Sequence, residues 1–91
     1  MADQQLSCHY READIILSCN GEGMGQLWIN GLLRDSGIAS SLLRLDSVVQ
    51  TDYEFHEHVV GLIETTDQSR SLTLYMSHTE IGSKTFALES Q

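Results

Sequence analysis

The sequence predicts an all-β fold: a single small antiparallel meander or barrel-like sheet of about six strands. Three observations predict it. Apolar residues recur at every second position in several short runs. Clusters of Gly, Asn, Asp and Ser separate those runs. Only one segment also fits a helical period. The chain holds seven glycines and no proline. Reversals must therefore come from Gly, Asn, Asp and Ser, and no proline guards a sheet edge. With 91 residues, 41% hydrophobic and 20% charged, the composition suits one globular domain, residues 1–91. Residues 1–5 and 90–91 are expected to lack order.

Taken in order, "ADIILSC" (13–19) is β-branched and apolar, and "NGEGMG" (20–25) supplies a flexible reversal. "QLWINGLL" (26–33) reads as the returning strand. "RDSGIASSLLRLDSVVQ" (34–50) fits two periods. Leu43, Leu45 and Val49 match strand spacing, while Leu42, Leu45, Val48 and Val49 match helical spacing. A strand preceded by a turn over 35–40 agrees with its neighbours. The alternative is an α+β fold with one short helix near 37–48.

Residues 52–65 alternate, with Tyr53, Phe55, Val59 and Ile63 on one side. "SLTLYMSH" (71–78) alternates too, with Leu72, Leu74 and Met76. A two-residue turn at Asp67–Gln68 sets Ile63 opposite Leu72, Gly61 opposite Leu74 and Val59 opposite Met76. Both apolar sets then share a face, whereas a slip of one residue would separate them. In this frame Glu54, His56 and His58 face the other way, and His78 falls on the core side opposite Glu57. "SKTFALE" (83–89) forms the last strand, after a reversal near Gly82.

Thirteen acidic and five basic residues give a net charge of −8. Residues 1–50 hold six acids and three bases, and residues 51–91 hold seven and two. Such a surface repels phosphate, so no nucleic-acid or membrane partner is expected. It suits docking to another protein, one with a basic surface, or a homodimer formed through unprotected strand edges. No apolar run approaches the roughly 20 residues that cross a bilayer. "MADQQLSCHY" has no basic start or apolar core of a secretory leader, so the cytoplasm is expected, with Cys8 and Cys19 reduced.

"EFHEH" (54–58) places Glu54, His56 and His58 on one strand face, where two imidazoles can converge on an ion and a carboxylate can join them. The spacing resembles the ligand set of the cupins over these few residues, without that family's glycine-flanked motifs or length. It implies a small metal- or ligand-binding β-barrel as the competing function. "GEGMG" (21–25) follows a strand but lacks the Gly-Lys-Ser/Thr ending of a phosphate loop, so no cofactor is expected. "DSGIAS" (35–40) is similar to a DSGxxS phosphodegron, with Asp35, Ser36, Gly37 and Ser40 at the matching positions, which implies a third function as a ubiquitin-ligase substrate. No G-x-S-x-G elbow or base-paired nucleophile is spaced for catalysis, and no enzyme is expected. If Leu27 and Ile29 face the core, Trp28 points outward with Asn30 and Leu32, an apolar protein-binding surface. The leading expectation is a small, acidic, non-enzymatic protein-binding domain.

Overall fold

Within each sheet every strand neighbours the next in sequence in a computed structural model, which describes residues 4–10, 12–50 and 56–88. The described residues form eight strands and no helix. β1 (Gln4–Tyr10), β2 (Ala13–Cys19), β3 (Met24–Ile29) and β4 (Leu32–Ile38) make one antiparallel sheet. β5 (Leu42–Gln50), β6 (His56–Thr65), β7 (Ser69–Met76) and β8 (Thr79–Ala87) make the second. The all-β expectation holds, and eight strands in two sheets replace the single sheet of about six.

Both extra strands have a physical origin. β1 alternates Leu6, Cys8 and Tyr10 on its inner side, and it begins at Gln4, inside the stretch expected to lack order. The other comes from Asn30–Gly31, which splits the run 26–33 into a hairpin. Both residues adopt positive φ, 51° and 82°, as a tight two-residue hairpin turn requires. The segment 42–50 is a strand, as preferred, and the helix near 37–48 does not form. The last reversal falls at Ser77–His78 (φ 48° and 71°), not near Gly82, which lies within β8. The β6–β7 register pairs Ile63 with Leu72, Gly61 with Leu74 and Val59 with Met76, as the alternation predicts. Tyr53 and Phe55 lie outside the described residues.

The sheets face each other, with β1 packed on β7 and β8, β2 on β7, and both β3 and β4 on β5. The core between them holds Ile15, Leu17, Leu27, Leu45, Val59, Ile63, Leu72, Leu74 and Met76. Glycines let the layers close. A Cβ on Gly25 would lie 2.6 Å from a Leu43 methyl and 2.8 Å from Ile63 Cδ1. On Gly61 it would lie 2.8 Å from Leu17 Cδ1. Each glycine is thus a socket for a leucine or isoleucine of the opposite sheet.

The two sheets echo each other. Exchanging them swaps the β4–β5 seam for β8–β1, and the β3–β5 contact for β7–β1. Each third hairpin has a two-residue turn followed by one extra residue, Arg34 in β4 and Ile81 in β8. The seams carry no strand ladder. Side chains join the sheets instead: Asp46 N–H donates to Asp35 Oδ2 at 3.0 Å across β4–β5, and Arg70 Nη1 of β7 donates to Gln4 Oε1 of β1 at 3.1 Å.

Leu17→Ala should remove about 2–5 kcal/mol of stability, as buried leucine truncations do. Adding Gly61→Ala fills part of the vacated space, so urea denaturation is expected to show the pair less destabilised than the two single changes together.

Candidate functional site

Trp28, Asn30 and Leu32 part at the Asn30–Gly31 turn. Leu27 and Ile29 are buried, so Trp28 does point outward, half-buried between its cross-strand partners Ile16 and Leu33. Asn30 fastens the turn: its N–H donates to the Asp14 carbonyl at 2.8 Å, and its Oδ1 accepts the Asp14 N–H at 2.8 Å. Leu32 pairs with Ile29 and so belongs to the inner side, at its open end. The apolar neighbour of Trp28 is therefore Leu33, because the reversal inverts the parity assumed for an unbroken strand.

The exposed large hydrophobics among the described residues are Leu32, Leu33, Ile38, Leu42 and Val48. All five lie on β4 or β5. Leu32 and Ile38 are each 63% exposed and Leu42 57%, values far from those of core positions. Leu33, Ile38, Leu42 and Val48 were not among the residues singled out from sequence. For Leu42 and Val48 a signal was present in the segment 42–50, where apolar residues on both parities blurred the strand period.

His56 and His58 are exposed on the outer side of β6, opposite Gln50 and Val48 of β5. Glu54 lies outside the described residues. His78, expected on the core side, occupies the turn after β7. It joins His58 and Arg44 around Val60, Leu62 and Tyr75 in an open groove of about 550 Å³ on the outer face of the second sheet. Glu57 stays on the inner side, where Ser77 Oγ donates to its Oε1 at 3.3 Å. Among the described residues, no three His, Cys, Asp or Glu side chains converge as a metal site would need.

The other motifs are absorbed by local structure. In "GEGMG", the amides of Glu22 and Met24 both donate to Asn20 Oδ1 at 2.9 Å, and Gly23 N–H donates to the Asn20 carbonyl. The donors a phosphate loop would offer are spent on closing the reversal. Asp35, Ser36 and Gly37 of "DSGIAS" lie within β4, with Asp35 tied to Asp46. Only Ser40 of its serines is in a turn. Cys8 is a free thiol. Cys8 Sγ donates to the Ile81 carbonyl at 3.7 Å across the β1–β8 seam, and burial raises its pKa.

A raised thiol pKa keeps Cys8 protonated in the folded state at pH values where an unfolded thiol has ionised. Its contribution is fully present below the unfolded pKa and is lost as pH rises through the folded one. Cys8 should accordingly alkylate more slowly than an unfolded thiol at the same pH, and equal rates in native and urea-unfolded protein would contradict this. Two imidazoles on an exposed strand are expected to bind Zn²⁺ no more tightly than millimolar by calorimetric titration, with no further loss in His56→Ala/His58→Ala. Tight binding lost in that variant would restore the metal reading. Comparison with known protein families, characterised proteins and solved structures finds no match to this chain.

Proposed function

We propose that this chain is a non-enzymatic protein-binding domain whose docking surface is the apolar band on β4 and β5, extended by Trp28. One observation carries the reading: every exposed large hydrophobic among the described residues lies on those two consecutive strands. Scattered apolar residues are ordinary on a surface, but their confinement to the two strands that meet at one seam marks an interaction region. Trp28 adds a half-buried aromatic with a polar tip, a residue type enriched at interface anchors.

Charge supports the same side. Residues 32–50 hold Arg34, Arg44, Asp35 and Asp46, so they are neutral, and the whole −8 lies on the rest of the chain. A neutral apolar band framed by acidic surface accepts a partner without desolvating an excess of carboxylates. The surrounding acidity then steers a partner with a basic rim. Cys8 as a free thiol suits a reducing compartment such as the cytoplasm.

A photo-reactive residue at Ile38, with Thr85 of β8 as control, tests the reading in the cell that makes the protein. A discrete cross-linked protein from position 38 and none from 85 is expected. Equal labelling at both positions would remove the docking surface.

A further inference from the structure

We infer that the outer face of β5, β6 and β7 is self-complementary and pairs with a second copy of this chain. The inference rests on reading the β4–β5 band as a docking surface, and it names what takes the β5 share. The outward residues of these strands include Leu42, Arg44, Asp46 and Val48 on β5, His58, Val60, Leu62 and Glu64 on β6, and Thr73 and Tyr75 on β7. Cross-strand register aligns Leu45, Gly61 and Leu74 in a single row across the sheet.

Consider a two-fold axis lying over the face along that row. It turns each strand antiparallel to its own copy and lays each strand on itself. Leu42 then meets Val48 of the second copy, and Arg44 meets Asp46 of the second copy. On β6, Val60 meets Leu62 and His58 meets Glu64. On β7, Tyr75 meets Thr73. Apolar residues face apolar residues, Arg44 faces an acid, the His58 imidazole faces a carboxylate, and the aromatic ring covers a threonine.

One axis satisfies three strands at once, although each register is set by its own hairpin. A two-fold interface requires this isologous self-complementarity. Facing sheets pack about 10 Å apart with strands within roughly 30° of alignment, a geometry that keeps such opposed pairs in reach.

Electrostatics favours this face over others for self-pairing. Two copies at −8 repel at long range, so the contact must lie where acid is balanced. Within one copy Arg44 Nε is 3.8 Å from Asp46 Oδ2, and both side chains are well exposed. Neither is committed to the fold. The groove between Arg44, His58, Val60, Leu62, Tyr75 and His78 lies on the same face, ready to receive Val60 and Leu62 of the second copy. The β5 edge is not the route, because Asp35 of β4 already occupies the Asp46 amide there.

Charge exchange tests the pairing. Sedimentation equilibrium of the full chain is expected to show a reversible dimer. Arg44→Asp alone opposes two acids at both contacts, and Asp46→Arg alone opposes two arginines. Each single variant should weaken the dimer by about tenfold or more while its circular dichroism stays native. Mixing the two single variants, or combining both changes in one chain, should restore it. A wild-type chain that stays monomeric, or single variants that dimerise as well as wild type, overturns the pairing. So does a mixture of single variants that stays monomeric while the folds remain intact. A monomeric chain whose position 38 still cross-links to a different protein would leave the docking surface standing. Loss of both results would remove both readings.

Discussion

The close approach of two sheets at side-chain-free positions is the constraint on which the rest of the molecule depends. Leu17 enters the space above Gly61, and Leu43 with Ile63 enters the space above Gly25. A domain this small has few core residues, so each must be completely shielded. The glycine sockets achieve that by reducing the separation between layers, and Ile15, Leu17, Leu27, Ile63, Leu72 and Leu74 are all fully buried as a result. Closing the layers also brings the edge strands together without forming a ladder. The edge polar groups are then served by side chains, as Asp35 serves Asp46.

That arrangement explains where the surface is left apolar. The seam between β1 and β8 is lined by Leu6, Cys8, Ile81 and Phe86, which are buried or half-buried against the core. The seam between β4 and β5 is bridged by a carboxylate, and the large side chains of both strands that do not face inward reach solvent. An apolar side chain exposed on a strand face contributes nothing to the core.

Much of the fold was legible wherever one parity alone was apolar. Val59, Ile63, Leu72, Leu74 and Met76 specified the β6–β7 register residue by residue. β1 was less visible because Leu6, Cys8 and Tyr10 alternate with polar residues close to the start of the chain. Asn30–Gly31 is a strong turn signal, but apolar residues on both sides disguised it as strand interior. The ambiguity over 42–50 had a different cause: Leu42 and Val48 are apolar yet point outward, which superimposes a second pattern on the strand period. The residues that confused the secondary structure, Leu42 and Val48, thus belong to the candidate surface. The self-complementary face was not legible at all, since it needs the registers of three strands together. The outward direction of His56 and His58 was legible from parity, while the position of His78 depended on a turn that falls at Ser77–His78 instead of near Gly82.

The strictly sequential strand order has a consequence for how the molecule comes to exist. Every ladder joins neighbours in the chain, so each hairpin can close over a short loop without waiting for distant segments. Only the docking of one sheet on the other brings together residues far apart in sequence, such as Leu17 and Gly61. Contacts of that kind slow the folding of β proteins, and here they are concentrated in a single event. The chain is therefore organised as two quick local assemblies followed by one slow meeting, and the glycine sockets are what that meeting must find.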